Sequence, residues 1–104
     1  MMQFDAFDNP IPGARRDFPF VVILQSDVAN MGRDRIVAPL VPRRRMPTAV
    51  GRLTPVVLVS EMEHVVLVPR MTAVDAADLR PKREHLGKYR DSLVAAIDYL
   101  FLGI

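Results

Sequence analysis

Any chemistry in this chain has to be built from two histidines, three serines and a surplus of arginine. His64 follows Glu61, Met62 and Glu63 in a stretch that reads as a turn. His85 falls in a loop ahead of a helix. Neither has a second histidine or a carboxylate at ligand spacing, so both are expected to be surface histidines and not metal ligands. The chain has no cysteine, which removes disulfides, thiolate zinc sites and a thiol nucleophile, and suits a reducing compartment. Its five glycines, at positions 13, 32, 51, 87 and 103, are all isolated, so there is no phosphate-cradling loop. Ser26, Ser60 and Ser92 all lie outside a Gly-x-Ser-x-Gly elbow. What remains is metal-free RNA cleavage, with an arginine beside a serine, threonine or histidine. Arg70 with Thr72, or Arg80 and Arg83 with His85, have the right residue types. Nothing in the spacing demands that arrangement, so no catalytic residue, metal or cofactor is assigned, and the residues favour a binding protein over an enzyme.

The elements that would position these groups are mostly strands. Residues 3–7 read as a short first strand. Asn9, Pro10, Ile11, Pro12 and Gly13 are dense in turn formers and make a loop. Residues 18–24 are β-branched and aromatic, with Pro19 marking an edge or strand-opening position. Gln25, Ser26 and Asp27 open a polar break that continues through Val28, Ala29 and Met31 to Gly32. Residues 35–42 form a strand bounded by proline, and residues 43–51 are irregular and basic. Two apolar runs, 54–59 and 64–68, make a hairpin joined by residues 60–63. Residues 71–74 add a short strand, and residues 75–79 a turn or helical turn.

From Leu86 onward the period changes. Leu86, Tyr89, Leu93, Ile97, Leu100 and Ile104 recur at steps of three and four, which is one face of an α-helix. Strands followed by one helix indicate an α+β, mostly β fold: a small barrel-like antiparallel sheet packed by a C-terminal helix. At 104 residues, half of them apolar, the whole chain, 1–104, is expected to be one globular domain. Its start carries acidic residues where a signal peptide needs basic ones. No apolar stretch approaches the roughly 20 residues of a membrane span, so a soluble cytoplasmic protein with no membrane partner is expected.

The formal net charge is +2, and it comes from arginine, since only Lys82 and Lys88 are lysines. Arg15-Arg16 and Arg43-Arg44-Arg45 sit beside prolines in aperiodic stretches without interleaved aromatics. That pattern fits solvated loops better than a nucleic-acid groove, and no direct sequence-specific nucleic-acid binding is expected. The ending Phe101, Leu102, Gly103, Ile104 is unusual, because termini are ordinarily frayed and polar. At about 100° per residue, Leu102 falls off the apolar stripe of the helix, which favours an interface over the core.

In order along the chain, several blocks resemble the CcdB toxins. They are Met2-Gln3-Phe4; Val22 through Gln25-Ser26-Asp27; Arg35 with Ile36-Val37-Ala38-Pro39-Leu40; Leu53-Thr54-Pro55-Val56-Val57; and Phe101-Leu102-Gly103-Ile104 closing the helix. The resemblance implies a five-stranded sheet with a smaller three-stranded one attached and a C-terminal helix, a fold shared with the MazF and Kid ribonuclease toxins. It also implies a homodimer and a toxin–antitoxin pair used in plasmid maintenance. Such toxins bind the A subunit of DNA gyrase and trap the cleaved gyrase–DNA complex. A CcdA-like antitoxin neutralises them with a disordered tail, and the toxin–antitoxin complex represses its own operon.

Carried over by position, the gyrase contact would comprise Leu102, Gly103 and Ile104, with Phe101 and Asp98 on the same helix end and Val28 and Ala29 as the adjoining wall. The antitoxin contact would include Gln3, Phe4, Gln25 and Ser26. The family has tryptophan where this chain has Leu102, and asparagine where it has Asp98. Leucine keeps the apolar character without the ring face or N–H donor, and Asp98 brings a negative charge that needs a cation opposite it. Two alternatives stand beside gyrase poisoning: a metal-free ribonuclease on the same fold, and a homologue that binds antitoxin but poisons gyrase weakly.

Overall fold

A computed structural model describes residues 1–29, 32–48 and 51–104. Met31, expected in the polar break, and positions 49 and 50 of the expected irregular stretch lie outside the described residues. Among the described residues there are seven strands: β1 (Asp5–Asp8), β2 (Phe20–Ile23), β3 (Asp34–Pro42), β4 (Val56–Val59), β5 (Met62–Val66), β6 (Thr72–Asp75) and β7 (Lys82–His85). One helix follows, α1 (Arg90–Leu102). All pairings are antiparallel, along the path β4-β5-β3-β2-β1-β7, and β6 joins β3.

Strand β3 explains how one sheet makes two layers. Its first half, from Asp34 to Val37, carries β6, while Leu40, Val41 and Pro42 carry β5. The sheet therefore divides at β3 into β7-β1-β2-β3-β6 and β3-β5-β4, the five-plus-three arrangement expected of the fold. The apolar runs are continuous and not alternating because both faces of the central strands are covered. Ala6, Val22, Ala38 and Leu40 face a core completed by Leu86, Leu93 and Ala96 from the helical end. Phe7, Val21, Ile23 and Val37 face the other way, onto Leu79 and Val74.

The sheet curls into a half-barrel whose path ends, β4 and β7, meet through side chains. The Leu58 N–H donates to Tyr89 Oη at 3.0 Å, and the Ser60 N–H reaches Glu84 Oε1 at 3.4 Å. The helix contributes Leu93 and Ala96 as its fully buried residues, with Ile97 and Leu100 packed at the margin. Among the described residues, no helix is long and apolar enough to cross a membrane.

Several local expectations need correction. The first strand is shifted to Asp5–Asp8, because Phe4 takes a left-handed backbone (φ 69) that breaks the extended run before it. Pro19 opens a strand that lies centrally, between β1 and β3, and not at an edge. The hairpin turn is two residues long, Ser60 and Glu61, both at positive φ (52 and 63), so Met62 and Glu63 belong to β5. Arg43–Arg45, expected to be irregular, is a turn of 3-10 helix. His85 lies in β7, paired with Asp5 of β1, and not in a loop. The α-helix begins at Arg90 after a 3-10 turn, Gly87–Tyr89, instead of at Leu86. Ile104 is exposed and takes no part in the buried face.

Candidate functional site

The turn after β2 and the end of α1 come together, and the polar residues between them act as scaffold. Gln3 donates its Nε2 to the Leu24 carbonyl at 3.0 Å, and its backbone N–H donates to Asp27 Oδ1 at 2.7 Å. Gln25 uses both ends of its amide, donating to the Ala29 carbonyl at 2.8 Å and accepting from the Ile36 N–H at 3.0 Å. Ser26 Oγ accepts from the Val28 N–H, and the Ser26 carbonyl accepts from the Ala29 N–H. These bonds hold Asp27–Ala29 as a 3-10 turn that projects Val28 into solvent.

Beneath that turn is an apolar cleft of about 230 Å³, lined by Leu24, Ile36, Met71, Ile97 and Phe101, with Gln25, Ser26 and Ala29 at its rim. It brings together residues expected for two different contacts: Gln25 and Ser26 for antitoxin, Ala29 and Phe101 for gyrase. Phe4 is not part of this surface. Its ring is buried in the main core, and its backbone bonds Ile23 and Leu86, so its side chain is not available to a partner in the folded chain.

The end of α1 leaves its apolar side chains uncovered. Phe101 is 64% exposed, Leu102 67% and Ile104 75%, and Val28 in the turn after β2 is 92% exposed. Asp98 is half-buried one turn earlier. Gly103 ends the helix in the left-handed conformation (φ 71), donating its N–H to the Tyr99 carbonyl at 3.1 Å. This is the ordinary role of glycine just past a helix end.

Among the arginine and histidine groups with ribonuclease potential, Arg83 and His85 are engaged elsewhere and Arg80 is exposed. Arg83 makes two bonds to the Asp8 carboxylate, at 2.9 and 3.0 Å. His85 donates Nδ1 to Asp5 Oδ1 at 2.8 Å, and Lys82 approaches the same oxygen at 3.4 Å. Burial pushes the Asp5 carboxyl up, but His85, the Met2 N–H and Lys82 together outweigh it and hold it below the ordinary value. The Arg83 bonds lower Asp8 in the same direction. Arg70 is exposed, with its guanidinium 5.8 Å from the Phe18 ring centroid. His64, expected at the surface, is instead buried, with Phe20 edge-on to its ring and Nδ1 donating to the Met62 carbonyl at 2.8 Å. Burial holds its pKa below the usual imidazole value.

Nothing in the flanks of His85 signals the carboxylate it meets, because 80 positions separate the pair. The arginine loops are likewise tied together: Arg45 bonds the Arg16 carbonyl at 3.0 Å and Asp17 at 3.4 Å, and Arg43 pairs with Glu63 at 3.1 Å.

No match to this sequence emerged among curated proteins. A family model described as CcdB protein matches residues 3–103, nearly the full length, and the curled antiparallel sheet with its C-terminal helix is the fold expected of that family. The chain therefore belongs to the CcdB family of toxin–antitoxin toxins.

Proposed function

We propose that this toxin acts by binding the A subunit of DNA gyrase and trapping the cleaved gyrase–DNA complex, without chemistry of its own. The observation that carries this reading is the run of uncovered apolar side chains at the end of α1, Phe101, Leu102 and Ile104, of which Phe101 also lines the cleft. Large exposed apolar groups clustered at one end of a small domain mark a protein contact. The engagement of Arg83 and His85 with the carboxylates of β1 argues in the same direction, since both side chains are already bonded within the fold.

A homodimer built through the C-terminal half is part of the same reading, because a domain this small leaves further apolar side chains uncovered beyond that contact, Leu58 and Met62 among them. A CcdA-like antitoxin is read as an acidic, disordered segment that folds on the Gln3, Gln25 and Ser26 shelf and along the arginine loops, and the pair together represses its operon. Weakened poisoning with antitoxin binding retained is the second reading, favoured by Leu102 and Asp98 at the contact. The deciding experiment incubates purified toxin with gyrase, DNA and ATP, and separately with RNA. Accumulation of cleaved DNA with intact RNA supports poisoning. RNA fragments with no cleaved DNA overturn it in favour of the ribonuclease.

A further inference from the structure

The segment that follows α1 is held in place by very little, and most of that comes from one distant side chain. Gly103 makes a single capping bond to Tyr99, and Ile104 is too exposed for apolar packing to fix it. Arg52 supplies the remainder. It sits in a two-residue turn closed by the Gly51–Thr54 bridge, with the Thr54 N–H donating to the Gly51 carbonyl at 3.1 Å. From that turn its guanidinium lies 4.0 Å from the Tyr99 ring centroid. Its Nη2 donates to the Ile104 carbonyl at 3.0 Å. A planar guanidinium can stack and donate at once, which a lysine ammonium does only in part. Tyr99 is thus a hub: its carbonyl caps Gly103, and its ring seats the cation that fixes Ile104.

We propose that Arg52 is a positioning residue for the partner contact, a clamp that fixes residues 103–104 and so presents Leu102 and Ile104 in one orientation before the partner arrives. This inference rests on the reading of that segment as the gyrase contact. Ordering a segment in advance removes an entropic cost that binding would otherwise meet. Arg52 is exposed and outside the buried core, so its loss leaves the fold alone.

The test compares full-length wild type with Arg52→Ala, Arg52→Lys and Tyr99→Leu by three measurements. Backbone 15N relaxation on the free toxin reports order at Gly103 and Ile104. Thermal unfolding reports the fold. Titration onto the purified gyrase A subunit reports affinity. In Arg52→Ala and Tyr99→Leu, the order parameter at the Ile104 amide is expected to fall from a rigid value to below about 0.6, while Gly103 keeps its capping bond. Affinity should weaken about three- to tenfold, the scale of one or two newly mobile groups, through faster dissociation. Arg52→Lys should recover part of both, and the Tm of Arg52→Ala should stay at the wild-type value.

Unchanged relaxation in Arg52→Ala overturns the clamp. So does mobility gained with no loss of affinity, and so does an affinity loss matched by a collapse in Tm. If the wild type itself fails to bind gyrase, the gyrase reading fails, and the relaxation data still decide whether Arg52 fixes the segment.

Discussion

Truncating two leucines of the same helix, Leu93 and Leu102, should separate the fold from the contact. Leu93 is fully buried, and Leu102 is 67% exposed. Complete burial of a leucine contributes about 1.5–3 kcal/mol, so the covered third of Leu102 contributes about 0.5–1 kcal/mol. Leu93→Ala removes a filled core position and should cost about 2–5 kcal/mol, transfer and cavity together. For a domain of this size 1 kcal/mol moves Tm by about 4–8 °C, so the two variants should differ in ΔTm by roughly fourfold. Binding should show the reverse order. Leu102→Ala is expected to weaken affinity for the gyrase A subunit at least about tenfold, or ~1.4 kcal/mol, while folded Leu93→Ala binds as wild type. Calorimetric melting and titration on the same preparations measure both quantities. A Leu102→Ala melt as depressed as that of Leu93→Ala would show that Leu102 is covered in solution, and the exposure argument would fall. Equal melting with unaltered gyrase affinity would place the contact elsewhere on the toxin.

Three further outcomes are expected. Leu102→Trp and Asp98→Asn should each hold or strengthen gyrase binding, the first by adding ring area and the second by removing a charge that must be desolvated; a tenfold loss in either, read by the same titration, contradicts the placement of that residue. Asp5→Asn should cost about 1–2 kcal/mol in chemical denaturation, kept modest because its partners His85 and Lys82 are half in water. The folded-state pKa of Asp5 lies below its unfolded value of 3.8, so its contribution is full above that pH and is lost as pH falls through the folded pKa; the variant should therefore show a flatter acid limb of stability against pH, and an identical limb would count against the cluster. Replacing Ser60 and Glu61 by Asn and Gly should raise Tm by about 4–8 °C, because both positions hold positive φ that L side chains disfavour; no gain would mean the turn carries no strain.

The legible parts of the fold are those where burial leaves a mark on residue type. Strand β2 and the middle of β3 announce themselves as continuous apolar runs because both faces of the sheet are covered there, and Leu93, Ile97 and Leu100 keep helical spacing because one face of α1 packs on that sheet. Strand β7 was illegible for a physical reason. Lys82, Arg83, Glu84 and His85 carry no apolar pattern, and they form a strand because β1 offers both backbone partners and the carboxylates Asp5 and Asp8 across the ladder. His64 shows the converse, a polar residue buried by its position beside Phe20 and not by anything in its flanks. The site was legible only in part. Leu102 could be placed off the stripe by angle alone, but the shelf depends on bonds from Gln3 to Asp27 and from Gln25 to Ile36, which no local spacing encodes.

A half-barrel keeps raw edges, here β4, β6 and β7, and edges are where sheets recruit strands from other molecules. In this toxin part of the β4 rim is already spoken for: the Leu58 N–H is taken by the phenol of Tyr89, the Ser60 N–H just past the strand by the carboxylate of Glu84, and Pro55 ahead of the strand has no N–H to offer. The residue that sets off the helix is therefore also the stopper on the open side of the sheet. Those two N–H groups are closed to a strand from another molecule, and a neighbour arriving there meets side chains, where recognition depends on shape and not merely on a shared backbone.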